Sequence, residues 1–233
     1  FYRPERWSDA QILEEHAFAD ALMREEIPVV GPLVLNGQTL RHAAGFAFSV
    51  SPRRGGRTPE LDDEEVLEWV GRFIARIHTV GQQQAFATRP TLNVQTFAVD
   101  SRDWLLNHNI IPLDQQSSWA SWCDKAIAIA TEVFAAHPSA SIRLHGDCHM
   151  GNLLWTDEGP HFVDFDDSRM GPAIQDLWMM LSGAPEEMKQ QFNEILLGYE
   201  DFFEFNPQEL HLIEALRTLR LIHYSAWIAA RGG

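Results

Sequence analysis

The apolar positions of this chain change rhythm along its length, and those changes mark out its elements. Ser8-Asp9-Ala10-Gln11 has the form of a capping box, with Ser8 accepting from the first turn and Gln11 reaching back. A helix is predicted from there to about residue 23, with Ile12, Leu13, Phe18 and Leu22 available for burial. Ile27-Pro28-Val29-Val30 ends it. Three short extended runs follow at 33–35, 38–40 and 46–50, and Asn36-Gly37 between the first two is a strong tight-hairpin signal. One helix followed by antiparallel strands predicts a small α+β layer. Residues 51–59 are rich in Pro and Gly and read as a connector.

Beyond the connector the period is helical. Val66, Val70, Phe73, Ile74 and Ile77 form one apolar stripe, which ends at Gly81. Trp119, Trp122, Ala126, Ile129 and Val133 form another, stopped by Pro138, and 173–181 and a long segment from about 208 to 230 complete the set. The eight tryptophans are assigned to core and lobe packing rather than to a ligand box. One stretch interrupts this helical half. Residues 141–144 read as a short strand, and 153–155 with 161–165 as a hairpin closed by Asp157-Glu158-Gly159-Pro160.

Composition narrows the class. The 233 residues can bury on the order of 70% of their unfolded surface. A net charge of −15, from 18 basic and 33 acidic residues, disfavours nucleic acid and anionic membrane as the main partner, because both require a basic footprint. No apolar run has the length of a membrane span and no signal peptide opens the sequence, so neither membrane nor export is expected. Two cysteines, Cys123 and Cys148, make no disulfide framework and suit a reducing cytoplasm. The chain opens on Phe1, in what reads as the tail of a strand, and stops at Arg231-Gly232-Gly233 straight after a helical pattern. It is expected to be an excerpt of a longer protein.

The interrupting stretch carries the chemistry. His145-Gly146-Asp147-Cys148-His149-Met150-Gly151-Asn152 is followed by Phe162-Val163-Asp164-Phe165-Asp166. Two carboxylates and one carboxamide, Asp147, Asp164 and Asn152, are thereby delivered from one turn and one neighbouring hairpin. Phosphoryl transfer needs that set: a carboxylate near the attacking hydroxyl, and hard oxygen ligands for Mg²⁺ on the ATP phosphates. Asp147 suits the base, and Asn152 with Asp164 the metal. Gly146 and Gly151 are expected to allow backbone shapes that other residues resist. Asp166 is a further candidate for a second metal, with a solvated or capping carboxylate as the equal alternative. Zinc on His145, Asp147 and His149 leaves Asn152 unexplained and is disfavoured. Cys148 reads as a small filler rather than a redox sensor, His149 has no assigned role, and Arg53, Arg54 and Arg57 read as a solvated connector.

The pattern H-G-D-x-x-x-x-N, with an Asp between apolar neighbours further on, resembles the aminoglycoside phosphotransferase and choline kinase-like branch of the kinase superfamily. Phe1-Tyr2-Arg3-Pro4-Glu5-Arg6-Trp7, Leu144 to His149 and Gly171-Pro172-Ala173-Ile174-Gln175-Asp176-Leu177-Trp178 narrow the resemblance to a bacterial Ser/Thr protein kinase group within it. The resemblance implies an α+β, two-lobed kinase-like fold. Residues 1–50 would be a truncated N-lobe of antiparallel strands and one helix, 51–59 the hinge connector, and 60–233 a mainly helical C-lobe with the catalytic loop at 144–152 and the metal strand at 161–166. It implies Asp147 as proton acceptor and Asn152 and Asp164 as magnesium ligands. It implies Glu15, rather than Glu14, as partner of an ATP-binding lysine, and Ser49, Val50 and Ser51 as hinge backbone against adenine. His145 would position the loop, and Asp176 would anchor it.

In this branch that lysine and the phosphate loop lie on strands upstream of Phe1, and the first lysine here is Lys125. The implied function is transfer of phosphate from ATP, with Mg²⁺, to Ser or Thr of a protein substrate by a cytoplasmic monomer involved in stress response. A small-molecule kinase acting on an aminoglycoside, choline or a sugar is the alternative within enzymes. A pseudokinase or binding module is the alternative outside them.

Overall fold

The computed structural model describes residues 1–157 and 159–231. Glu158, part of the turn expected at 157–160, lies outside the described residues, as do Gly232 and Gly233. In chain order the elements are α1 (Asp9–Arg24), β1 (Arg41–Ala43), β2 (Phe46–Phe48), α2 (Glu64–Gly81), α3 (Asp100–Asn107), α4 (Gln116–Ala136), β3 (Ile142–Leu144), β4 (Leu153–Thr156), β5 (Gly159–Phe162), β6 (Arg169–Gly171), α5 (Ile174–Trp178), α6 (Pro185–Tyr199) and α7 (Ile213–Arg231). The strands form three antiparallel pairs, β1 with β2, β3 with β6 and β4 with β5. The fold is therefore α+β. It divides into two compact units, one of residues 1–89 with 141–205 and one of 90–140 with 206–233.

In the first unit, α1 starts on the capping box, with Ser8 Oγ accepting from Gln11 N–H and Gln11 Oε1 accepting from Ser8 N–H. It buries Ile12, Phe18, Ala19 and Leu22 together with two polar residues, Glu15 and His16. Leu13, expected inside, is 46% exposed, because the inward stripe is shifted toward Glu15. Asp63 caps α2 by accepting from Glu65 and Val66 N–H, and α2 buries Val66, Val70, Ile74 and Ile77 of the expected stripe while Phe73 is only half-buried. Helix α6 packs along α2 through two glycines: a Cβ on Gly71 would strike the Ile195 carbonyl, and one on Gly198 the Glu68 carbonyl. Its polar first half, Pro185 to Gln191, hides it from an apolar-period reading, although Phe192, Ile195 and Tyr199 are buried.

The antiparallel part of the layer differs from the expected strands. Asn36 and Gly37 do form the tight turn, both at positive φ, but its arms stop at the single bridge Leu35–Gln38. The regular pair β1–β2 turns instead at Ala44-Gly45, φ 51° and 82°. The expected run at 161–165 also ends early. Strand β5 stops at Phe162, whose N–H and C=O are taken by Pro28 and Val30, and the chain then turns at Asp164.

In the second unit α3, α4 and α7 pack together, and His223 on α7 stacks on Phe97 at 4.2 Å and bonds Ser101 Oγ at 3.3 Å. Helix α4 has the expected extent but turns its other side inward. Trp122 and Ile129 are 67% and 63% exposed, while the small residues Cys123 and Ala130 are buried, since close helix contact favours little side chain. None of the eight tryptophans is fully buried: six are half-buried, and Trp69 and Trp122 are exposed. Their size leaves an edge in solvent.

Candidate active site

Strand β3 carries the chain inward to Leu144 and hands it to a loop held from below. Asp176, at 1% exposure on α5, accepts from the N–H groups of His145 at 2.8 Å and Gly146 at 2.9 Å. Gly146 sits at φ 87°, and a Cβ there would collide with the Asp167 carbonyl, so the position admits only glycine without rearrangement. Gly151 differs from expectation: it is not among the positive-φ residues, and its missing Cβ instead makes room for the His149 ring.

The Asp147 carbonyl accepts from His149 N–H at 3.0 Å and from Asn152 Nδ2 at 2.9 Å, while Asn152 N–H donates to His149 O at 2.8 Å. These bonds close a tight turn from 147 to 152. Two more fasten it to the strand that leads to Asp164: Val163 N–H donates to Asn152 O at 3.0 Å, and His145 Nε2 donates to Val163 O at 2.9 Å. The turn bearing Asp147 and Asn152 and the segment bearing Asp164 are thus one hydrogen-bonded piece. Asp164 itself is left-handed, φ 63° and ψ 64°, a conformation that costs a non-glycine residue about 1 kcal/mol. It stands after β5 rather than within a metal strand.

Charges crowd around the turn that follows. Arg6 pairs with Asp166 at 2.6 Å and with Asp167 at 2.9 Å, and Arg169 bonds Asp167 at 2.6 Å. Burial pushes the Asp166 carboxyl up against the opposing pull of Arg6. Its engagement with Arg6 is a feature the candidate second-metal role did not anticipate. Glu15, the implied lysine partner, is 8% exposed, and burial pushes its carboxyl up to about 7 against the pull of Arg89, with Asp166 and Asp164 adding to the rise. Its neighbour His16 bonds the Tyr2 hydroxyl at 2.7 Å and Thr39 Oγ1 at 2.8 Å. Glu14 has a separate duty. It accepts from the backbone N–H groups of Ala87, Thr88 and Arg89, which outweigh burial and hold its carboxyl low.

Of the three hinge candidates, Val50 has its carbonyl engaged by Leu33 N–H at 2.7 Å, Ser49 Oγ lies 3.2 Å from the Tyr2 hydroxyl, and Ser51 is exposed. The His149 ring accepts from Gly151 N–H through Nδ1 and brings Nε2 to 3.5 Å from Asp147 Oδ2. Cys148 is fully buried, in keeping with a small filler, and burial raises its thiol well above its ordinary range. Arg57 pairs with Glu60 in the open, and its backbone bridges Trp155.

The donor set suits a hard cation. Asn152 commits its amide nitrogen to Asp147 O, which leaves its oxygen as the available donor, and Asp164 supplies a carboxylate. His145 spends Nε2 on Val163 O, so that nitrogen is not offered to a zinc triad. Sequence reasoning missed Arg6, Arg89 and His78. Each acts across a long separation and carries no local motif.

The profile of the phosphotransferase enzyme family matches residues 1–213. Stress response kinase A of Escherichia coli O157:H7 is 46% identical over 231 residues, covering 99% of this chain and 70% of that protein. Serine/threonine protein kinase RdoA of Salmonella typhimurium (strain LT2) is 44% identical over 233 residues, covering 100% and 70%. Among solved structures, amicoumacin kinase hAmiN in complex with AMP-PNP, Ca²⁺ and Ami superposes with a TM-score of 0.76 at 20% identity, over 95% of this chain and 71% of that one. A microcompartment-associated aminopropanol kinase gives 0.74 at 18% identity, over 97% and 75%. At such identities the likeness is one of fold, and it makes the α+β architecture kinase-like. The match over residues 1–213 and the identity to these relatives, with the Asp147, Asn152 and Asp164 arrangement in hand, place the chain in the phosphotransferase enzyme family.

Proposed function

We propose that this chain transfers the terminal phosphoryl group of ATP to Ser and Thr hydroxyls of proteins, with Mg²⁺ as cofactor, and that it serves a stress response. One observation carries the reading: the Val163 N–H bond to the Asn152 carbonyl and the His145 bond to the Val163 carbonyl, which lock Asp147 and Asn152 onto the segment ending in Asp164. Sharing of 46% of residues with a stress response kinase, and the Ser/Thr label of the Salmonella relative, support the choice of acceptor. No helix among the described residues is long and apolar enough to cross a membrane, and in this reading the chain works as a monomer in the cytoplasm. Residues 1–50 serve as the nucleotide-side lobe, 51–59 as its hinge connector and 60–233 as the lobe of the phosphoryl acceptor.

Asp147 orients the acceptor hydroxyl and takes its proton as the oxygen attacks. Asn152 and Asp164 would hold Mg²⁺, which when bound neutralises the charge of the phosphate oxygens. His145 and Asp176 keep the loop in register. Asp176 does so through its two backbone bonds and His145 through Val163. Glu15 lies on the nucleotide side of this machinery, and Ser49, Val50 and Ser51 offer the backbone that meets adenine.

The test is incubation with labelled ATP and Mg²⁺ in the presence of a Ser- and Thr-rich protein such as casein, in parallel with small amino alcohols and aminoglycosides. Label on the protein, alkali-labile as phosphoserine is, and absent with Asp147→Asn, is the expected result. Label on the small molecules alone overturns the protein-kinase reading and leaves a metabolite kinase. No label with any acceptor overturns the reading as an enzyme.

A further inference from the structure

Arg89 is 4% exposed, and none of its bonds belongs to the chemistry described above. Its Nε donates to Gln11 O on α1 at 2.8 Å. Its Nη1 donates to the carbonyls of Asp166 at 3.0 Å and Ser168 at 2.5 Å. The guanidinium lies over the Trp7 ring, 4.5 Å from its centroid. Two stretches distant in sequence therefore meet on one planar cation: Trp7 to Gln11, where α1 begins, and the turn after Asp164. The arginine is itself held. Glu14 accepts from the backbone N–H groups at 87, 88 and 89, so Arg89 projects from a tract tied to the same helix that its side chain grips.

This arrangement brackets Asp164. Upstream, Val163 is fixed through both its N–H and its C=O by the catalytic loop. Downstream, the carbonyls two and four residues beyond Asp164 are fixed by Arg89. The left-handed aspartate between them is therefore held on both flanks, the usual condition for strain at a functional position.

We propose that Arg89 is the positioning residue for Asp164: by clamping the Asp166 and Ser168 carbonyls to α1, it sets the direction of the Asp164 carboxylate and with it the affinity of the site for a divalent cation. The inference rests on the reading of Asp164 as a metal ligand. Lysine cannot replace the arginine. An ammonium is a point charge without the flat fork that reaches carbonyls on two elements while lying against an indole.

The experiment measures Mn²⁺ binding by electron paramagnetic resonance on the 233-residue chain with AMP-PNP, for the wild type, Arg89→Lys and Asp164→Asn, with thermal melting of each. Loss of a partner that orients a ligand characteristically weakens metal affinity 10- to 100-fold, so Arg89→Lys is expected to raise the Mn²⁺ dissociation constant by about tenfold or more. In turnover assays it raises the Mg²⁺ concentration giving half-maximal rate and leaves the KM for the protein acceptor unchanged. Asp164→Asn is expected to remove the protein-bound Mn²⁺ population, leaving the spectrum of Mn²⁺ free or held by AMP-PNP alone. If Asp164→Asn weakens Mn²⁺ binding and Arg89→Lys leaves it at the wild-type value, Arg89 has a structural duty alone and the inference is overturned. If Asp164→Asn binds Mn²⁺ as the wild type does, the ligand reading fails first, whatever Arg89 does. Should Arg89→Lys not fold, Glu14→Gln, which loosens the tract beneath Arg89, is measured instead. Weakened Mn²⁺ affinity there supports the inference, and unchanged affinity overturns it.

Discussion

His78 Nε2 lies 3.1 Å from Asp176 Oδ2, with the imidazole at 0% and the carboxylate at 1% exposure. On the far side of the ring, Nδ1 meets the Tyr199 hydroxyl at 2.6 Å. A line of hydrogen bonds therefore runs from α6 through α2 and α5 into the backbone of the catalytic loop. Burial alone would raise the Asp176 carboxyl. The hydrogen bonds from His78 and from the Gly146 N–H outweigh it and hold the carboxyl below its ordinary range. An ionised acceptor requires the proton on Nε2, so Nδ1 accepts from Tyr199.

The first prediction concerns this line. His78→Phe strips a donor from a buried carboxylate and breaks the imidazole's bond with the Tyr199 hydroxyl, at a cost on the order of 3 kcal/mol. Tyr199→Phe removes one neutral bond at the far end and costs about 1 kcal/mol. Urea unfolding of both variants checks the order. Because the folded carboxyl is depressed, the stability Asp176 contributes is present above its unfolded pKa and is lost as pH falls through the folded value. A His78→Phe protein as stable as the wild type would show that the line carries no energy.

Glu15 and His16 are adjacent on α1 and titrate with opposite consequences. The Glu15 carboxyl is raised from 4.5 to about 7, chiefly by burial, so it contributes stability below pH 4.5 that is lost as pH rises through 7. The loss is on the order of 3 kcal/mol. His16 is lowered from 6.5 to about 4, by burial first and then by Arg89. Its contribution is present above pH 6.5 and is lost as pH falls toward 4. The two slopes oppose one another between 4.5 and 6.5. Glu15→Gln removes one of them, so the variant is expected to melt higher than the wild type at pH 8 and to lose stability more steeply between pH 6.5 and 4.5. Calorimetric scans across that range decide it, and parallel profiles would refute the assignment.

The α2–α6 contact gives a third expectation. Gly71 and Gly198 each face a carbonyl of the opposite helix, so the two backbones touch where side chains would hold them apart. Both positions are helical, where alanine is ordinarily better than glycine by roughly 1 kcal/mol. Here the sign reverses. Gly198→Ala is expected to destabilise by about 1–3 kcal/mol, the usual penalty for forcing a methyl group into a packed interface. Stabilisation in denaturant titrations would mean that the helices can part without loss.

Local chemistry was legible in the sequence where spacing alone defines it. Asp147, Asn152 and Asp164 stand within eighteen positions of one another, and the capping box at Ser8 and Gln11 forms bond for bond. What could not be read depends on partners far away. Arg89 reaches residues 11, 166 and 168, His78 reaches 176 and 199, and neither has a local pattern that predicts it. Periodicity located α4 but could not choose its inward face, because Ala130 and Cys123 pack closely while Trp122 and Ile129 are larger than that contact admits. The Ala44-Gly45 turn was missed for a related reason. Alanine at positive φ is unfavourable, so the dipeptide is a weak signal even though the strands enforce it.

Cys148, one residue from the proposed base, provides the last prediction. Its thiol is fully buried, and burial, with the negative fields of Asp176 and Asp147, raises it well above the range of a reactive cysteine. The thiolate is the form that attacks, so proximity to the active site does not make this cysteine a sensor. At pH 8 the folded protein is expected to leave Cys148 unmodified by iodoacetamide over hours, and denaturant to expose it to complete alkylation, as followed by mass spectrometry of its tryptic peptide. Cys148→Ala should keep the phosphotransfer rate within a few-fold of wild type while lowering stability by about 1–2 kcal/mol, the cost of a small buried void. Rapid labelling of the native thiol, with loss of activity in step, would instead make it an accessible redox or regulatory group.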